Sequence, residues 1–276
     1  MDAAAEVAVN AKLRASLHVS ALALRAGGRT LIDDLTLTFS PGEAWCIAGP
    51  NGAGKTTLLN VLAGLSKPAA GAVSLDGVDL NDWRAAGLAR RRAWMPQSTH
   101  DAFSATVLDV VMLNRFPHLS GWGWESDADR RAAHAALDAL GLAAFASRDV
   151  LSLSGGERQR VALAATLCQG APLLLLDEPL SHLDLHHQIE CLEALGDWVR
   201  DPAAQRTLIF SCHDLNLARR FATHALLIDG AGRAHAGPVR DVLSAERASA
   251  AFGYALTLIR EGAHEALVPV MRAPHP

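Results

Sequence analysis

Apolar residues recur at a period near two along Leu17, Val19, Ala21 and then Leu22 and Leu24, which predicts a first strand. Ala26-Gly27-Gly28-Arg29 reads as a turn, Thr30–Phe39 as a second strand region, and Pro41-Gly42 as a break. The pattern then changes. Ala44-Trp45-Cys46-Ile47-Ala48, Leu173–Leu176 and Thr207–Ser211 are short apolar runs without alternation, as strands covered on both faces of a parallel sheet require. Leu58–Ala63 follows the first of these runs as a helix. Pro68–Gly71 turns into a further hairpin over Ala72–Gly77, and Ala93–Gln97 is a short strand ending at Pro96. From about 98 to 155 helical spacing takes over, with Val107–Met112 and Asp127–Leu140 as the clearest segments. Beyond about 240 come a small helix, Glu246–Phe252, and a terminal hairpin, Leu256–Ile259 with Ala266–Val270. Residues 1–15, rich in alanine, read as a loose tail or a fraying helix.

Composition narrows the class. The chain has 276 residues, half of them hydrophobic, which gives ample length and apolar content for a large core. Its net charge of −4 offers no basic face of the kind a nucleic-acid partner wants. The four cysteines, Cys46, Cys168, Cys191 and Cys212, form no CxxC pair and read as buried, reduced thiols. No run reaches the ~18 apolar residues of a membrane span, and Asp2 and Glu6 break the basic-then-apolar form of a signal peptide. The expectation is a cytoplasmic chain whose membrane role, if it has one, comes through a partner.

Three stretches carry chemistry. Gly49-Pro50-Asn51-Gly52-Ala53-Gly54-Lys55-Thr56-Thr57 lies between a predicted strand and a predicted helix. That order suits a phosphate cradle: glycines let successive N–H groups turn inward, the helix N-terminus adds partial positive charge, Lys55 reaches the outer phosphates, and the Thr56 hydroxyl suits Mg²⁺. Leu173–Leu176 runs into Asp177 and Glu178, so two carboxylates stand at the carboxyl edge of a sheet. Asp177 is the candidate for holding Mg²⁺, directly or through water, and Glu178 for polarising an attacking water. Read alone, the pair is equally a strand end punctuated by solvated acids. Leu153-Ser154-Gly155-Gly156-Glu157 has the S-x-x-E spacing of a capping box, so a helix begins there. Its N-terminus is either a second anion site or an ordinary cap. One chain cannot easily bring both helix N-termini onto one phosphate, whereas two facing copies can. His182 and His186 are spaced i, i+4, but no HExxH and no third type of ligand accompany them, so with His187 they read as helix surface. Trp122 and Trp124 in a glycine-containing loop read either as a dock for a partner's helix or as rings folded back on their own helices.

Together these stretches resemble the nucleotide-binding subunits of ATP-binding cassette (ABC) transporters. Gly49–Thr56 is similar to the Walker A motif, Leu173–Glu178 to Walker B, and Leu153–Glu157 to the LSGGE signature; Gln97 matches the Q-loop, Ser181-His182-Leu183-Asp184 the D-loop, and His213 the H-loop, in family order over about 20 to 240. The resemblance implies an α/β fold: a P-loop NTPase, RecA-like core with an antiparallel β subdomain and an inserted α-helical subdomain at about 98–155. The ATPase domain would span 16–240, after a tail at 1–15 and before an extension at 241–276.

It further implies a homodimer closing head to tail around two ATP molecules with Mg²⁺. Lys55 and the loop of one copy would meet Ser154, Gly155 and Gly156 of the other. Asp184 would cross the interface, Gln97 would touch Mg²⁺ or the attacking water, and His213 would hold the γ-phosphate and orient Glu178. Integral-membrane permease subunits and, indirectly, a periplasmic substrate-binding protein are the implied partners, placing the chain on the cytoplasmic side of a bacterial inner membrane. Softer matches resemble the importer branch for ferric siderophores, haem and cobalamin: Leu80–Trp83, Leu88–Arg92, Met95-Pro96-Gln97, Asn114–His118 (with Asn114 in place of glycine) and Ala250–Gly253. The competing readings are an exporter subunit and a soluble ABC ATPase of iron–sulfur assembly. One departure is plain: the family's adenine-stacking aromatic is missing from Leu24–Arg29, leaving Arg25 or Arg29 to stack instead.

Overall fold

The computed structural model describes residues 15–98, 103–119, 125–262 and 264–270. Two of the expectations above, the tail at 1–15 (save Ala15) and the roles of Trp122 and Trp124, fall on residues outside these.

The apolar runs form a six-stranded sheet. Strand β3 (Ala44–Ala48) lies parallel to β8 (Thr207–Ser211) on one side and to β9 (His224–Ile228) on the other. β7 (Leu173–Leu176) then lies between β8 and β6 (Arg92–Met95), again parallel, and β10 (Ala234–Pro238) closes the far edge antiparallel to β9. Alternate residues of each central strand enter different cores. Cys46, Leu174, Leu176 and Phe210 face one, while Trp45, Ile47, Leu173, Leu175 and Ile209 face the other. This double burial is why these strands show no polar alternation.

The second core holds α1 (Lys55–Leu62), sealed by Leu58, Leu59 and Leu62. Its other wall is an antiparallel sheet in the order β2 (Arg29–Phe39), β1 (Leu17–Ala26), β4 (Ala70–Leu75) and β5 (Val78–Asp79). The expected hairpin at Ala72–Gly77 is thus mainly the strand β4 paired with β1, with β5 only a two-residue return. The helix expected from Leu58 begins three residues earlier, at Lys55.

α2 (Ala85–Arg91) precedes β6 and buries Leu88 in the second core. The first core carries the remaining helices. α3 (Val107–Leu113) and α4 (Asp127–Ala139) pack on α5 (Gly155–Cys168), and α6 (Leu185–Arg200) follows β7. α7 (Leu215–Phe221), α8 (Val239–Val242) and α9 (Ala245–Phe252) complete the set, and β11 (Leu256–Glu261) pairs with β12 (His264–Pro269) in the expected terminal hairpin. α2, α6, α7, α8, β9 and β10 are elements the apolar pattern alone leaves unmarked. The architecture is α/β, and among the described residues no helix is long and apolar enough to cross a membrane. All four cysteines are buried and unpaired.

The cap of α4 sets a pH dependence. Ser126 donates its hydroxyl to Asp129 Oδ2 at 2.6 Å, and Arg115 Nε donates to Oδ1 at 2.8 Å. These bonds hold the Asp129 carboxyl down to about 2 from its ordinary 3.8. A carboxyl lowered in the folded state contributes stability that is complete above its unfolded value and lost as pH falls through the folded one. Asp129→Asn is therefore expected to lower the denaturant midpoint at neutral pH. The gap to the parent chain should close as pH drops from 3.8 toward about 2, as a pH series of urea titrations would show.

Candidate functional site

Because β3, β8, β7 and β6 run parallel and adjacent, their carboxyl ends share one edge of the sheet. Gly49 directly follows β3, Asp177 and Glu178 follow β7, His213 follows β8 by two residues, and Gln97 follows β6 by two. Parallel pairing thus gathers residues up to 164 positions apart, Gly49 and His213 being the extremes. A cleft of about 560 Å³ opens there, lined by Asn51, Gly52, Gly54, Lys55, Thr56, Thr57, Gln97, Glu178 and His213, with Ala26, Arg29 and Leu31 as its outer wall.

The glycine loop fits this edge only as glycine. A Cβ on Gly49 would stand 2.4 Å from the Ile228 carbonyl oxygen, and one on Gly54 2.9 Å from the Leu31 side chain. Both have positive φ, 151° and 108°. Gly54 is also the N-cap of α1 and offers no side-chain cap, so the first-turn N–H groups remain open to an anion. Lys55 is 6% exposed, and its Nζ donates to the Gly49 and Pro50 carbonyls at 2.9 and 3.2 Å. Burial lowers its pKa, and the nearby Glu178 and Asp177 oppose that shift. Ala53 is 1% exposed and packs inward as part of the loop's floor.

The two carboxylates have different surroundings. Asp177 is fully buried, and its Oδ1 accepts the Ser211 hydroxyl at 2.7 Å. Its Oδ2 is buried with no hydrogen-bond partner. An unpaired buried carboxylate oxygen is costly, and its free lone pairs fit a hard divalent cation or that cation's water. Thr56 and Gln97 line the cleft, whereas Asp177, fully buried next to Glu178 in the chain, is not among its lining residues. Glu178 sits with φ +50°, a left-handed conformation that costs a non-glycine residue about 1–3 kcal/mol. That turn aims its carboxylate into the cleft, where Oε2 accepts from Gln97 Nε2 at 2.9 Å and Oε1 lies 2.6 Å from His213 Nε2.

Two supporting residues escaped the sequence reading. Ser211 Oγ also accepts the Glu178 N–H at 2.8 Å, so one hydroxyl ties both acids together. Gln159, on α5, donates to the Glu178 carbonyl at 3.1 Å. The one signal for Ser211 was a polar residue closing an apolar strand; Gln159 gave none, because its partner lies across the fold. Of the two arginines considered for stacking, Arg29 lines the cleft and Arg25 is not among its lining residues.

Ser154, Gly155, Gly156 and Asp184 do not line this cleft. Ser154 caps α5: its hydroxyl accepts the Glu157 N–H at 3.3 Å and its own N–H donates to Glu157 Oε2 at 2.7 Å. Gly156 packs on the D-loop, where a Cβ would stand 3.1 Å from the His182 carbonyl. Asp184 caps α6 and accepts from the His187 N–H at 2.9 Å, with His187 Nδ1 also 2.9 Å away. Among the described residues no three His, Cys, Asp or Glu side chains gather to hold a metal, so His182, His186 and His187 form no such nest.

Residues 32–181 match the family model described as ABC transporter. The chain is 43% identical over 244 residues to a hemin import ATP-binding protein of Pseudomonas entomophila, covering 86% of this chain and 92% of that one. It is 42% identical over 238 residues to a cobalamin import ATP-binding protein of Halobacterium salinarum, covering 86% of this chain; it spans only 58% of that relative's length. Among solved structures, it resembles one described as a metal-chelate type ABC transporter in an inward-facing conformation, with a TM-score of 0.80 at 27% identity over 94% of this chain and 99% of that one. The strand-edge cleft, the ordered motifs and these matches agree: the chain belongs to the ABC transporter family.

Proposed function

We propose that the chain is the ATP-hydrolysing subunit of an ABC importer for a metal chelate such as a ferric siderophore, haem or cobalamin. One observation carries the ATPase reading: Lys55, Gln97, Glu178 and His213 line a single cleft whose loop presents open N–H groups to an anion. The import reading is supported by the names of the relatives at 42–43% identity. The likeness to the metal-chelate type transporter over nearly the whole chain favours it over an exporter or an assembly ATPase.

In this reading the Gly49–Thr57 loop binds the phosphates through backbone N–H groups, and Lys55 leaves the Gly49 and Pro50 carbonyls for the γ-phosphate. Thr56, Asp177 Oδ2 and Gln97 are the groups that would hold Mg²⁺, which when bound neutralises charge on the phosphate oxygens. Glu178 accepts the proton of the attacking water, held toward it by His213 and Gln97. Water attack on the γ-phosphorus breaks its bond to the bridging oxygen and yields ADP and phosphate. Arg29 is the better placed residue to stack on adenine through its guanidinium plane.

Ser154, Gly155, Gly156 and Asp184 lie outside the cleft, so the reading assigns them to a second copy's nucleotide. Two copies meeting head to tail complete both sites, and membrane permeases aligned on the dimer raise its turnover. We place the ATPase unit at 16–240, with an extension from 241 onward. Purified alone, the subunit is expected to hydrolyse ATP slowly, with the rate rising when permease is added; a free subunit as fast as the assembled complex contradicts the coupling. Co-purification with a membrane permease, followed by chelate binding to the matching periplasmic protein, tests import. Copurifying assembly scaffolds, or no chelate bound, would overturn it.

A further inference from the structure

The carboxyl end of α5 is tied to two other segments, far along the helix from Ser154. Arg115 Nη1 donates to the Cys168 and Gln169 carbonyls at 3.0 and 3.4 Å, and His118 Nε2 donates to the Gln169 carbonyl at 2.7 Å. A carbonyl only accepts, so Nε2 carries the proton. Asp129 fixes Arg115 from behind through Nε. The Gln169 side chain then reaches the other way. Its Nε2 donates to the Ala89 carbonyl at 2.6 Å and the Arg92 carbonyl at 3.0 Å, where α2 passes into β6. Arg90 Nε closes the ring by donating to the Pro117 carbonyl at 2.7 Å. The last carbonyls of a helix have no partner within it, and donors with positive charge are favoured there. Here the ends of α2 and α5 are both satisfied across segments, through one half-buried glutamine.

The opposite end of α5 lies beyond this joint and is held separately, by Gln159 on the Glu178 carbonyl and Arg158 on the Leu151 carbonyl. With 14 residues the helix is about 21 Å long, so a tilt of about 15° at Gln169 would carry Ser154 about 5 Å. We propose that Gln169, held by Arg115 and His118, is the pivot that sets the direction of α5 and so places Ser154 against the nucleotide of a second copy. Gln169 is a positioning residue and touches no phosphate. The inference rests on the two-copy site proposed above.

The test uses the Glu178→Gln chain, in which ATP is expected to hold the dimer, and reads the ATP concentration at half-dimer by light scattering. Gln169→Ala, which removes two hydrogen bonds, should raise that concentration about tenfold. Combined with Ser154→Ala it should add less than about twofold, because its effect runs through Ser154. Affinity of the monomer for a fluorescent ATP analogue should not change. His118→Ala should show the same pattern and His118→Gln, which keeps a donor for the Gln169 carbonyl, should restore the parent value; this pair decides the matter if Gln169→Ala fails to fold. Equal shifts with and without Ser154, or no shift, overturn the pivot alone. A Glu178→Gln chain that never dimerises with ATP overturns the pivot together with the two-copy site.

Discussion

Glu178→Gln is expected to lower ATP turnover by ~10²–10⁴-fold, the range for losing a positioned general base. The carboxylate stands at the end of β7 with both oxygens engaged, Oε2 by Gln97 and Oε1 by His213. A carboxamide keeps the shape and one acceptor, so the fold and the cleft should persist. It cannot take a proton from water, so the chemical step should fail while ATP still binds with affinity within about twofold of the parent. Steady-state phosphate release and equilibrium nucleotide binding measure the two quantities separately. Normal turnover would remove Glu178 from the role of base. A parallel loss of binding would make it a residue of the cleft's structure.

Lys55→Ala is expected to weaken ATP binding by at least about 10²-fold, the effect of removing one partner from a buried charge pair. Lys55 is nearly fully buried and carries its charge against a lowered pKa, supported by Glu178 and Asp177. Its hydrogen bonds to the loop carbonyls, at 2.9 and 3.2 Å, are what the ammonium has without nucleotide. A phosphate offers that charge a far stronger partner. The loss should therefore appear in affinity, with the unfolding free energy of the nucleotide-free chain changed by only about 1–2 kcal/mol, because the two charge-assisted hydrogen bonds lost are offset by the relieved cost of burying the ammonium. Calorimetric titration with ATP checks the first figure and urea unfolding the second. Unchanged affinity would mean the cleft does not bind phosphate through this side chain.

The parts of this molecule that local chemistry specifies were legible in the sequence. Gly49–Thr57 announces itself because glycines and a lysine must sit at fixed offsets around one anion. Leu173–Leu176 does so because a strand covered on both faces needs an unbroken apolar run. The terminal hairpin followed from two short apolar runs, Leu256–Ile259 and Ala266–Val270, and α4 from helical spacing over Asp127–Leu140. What stayed hidden depends on tertiary pairing. Ser211 ties Asp177 to Glu178 because β7 and β8 are neighbours, which no residue of β7 foretells. Gln159 reaches Glu178 from another helix, and Gln169 finds its acceptors 77 and 80 residues away. The strand β9, His224–Ile228, is not marked by the sequence pattern although four of its five residues are buried. The polar residue at its head and the loop of glycines after it obscured its period. Arg29 lining the cleft where Arg25 does not is likewise a matter of where β2 begins, outside the reach of a residue count.

In the proposed two-copy site the Gly49–Thr57 loop of one copy faces Ser154 of another across ATP. Cross-linking two variants of the Glu178→Gln chain, each with one added cysteine, Asn51→Cys in one and Ser152→Cys in the other, tests this arrangement most directly. Both positions are exposed, whereas the four native cysteines are buried and shielded from a short bis-maleimide. A cross-linked species of twice the 29.2 kDa chain mass is expected only when both variants and ATP are present. A cross-link that forms equally without ATP, or none in the mixture, would contradict that arrangement.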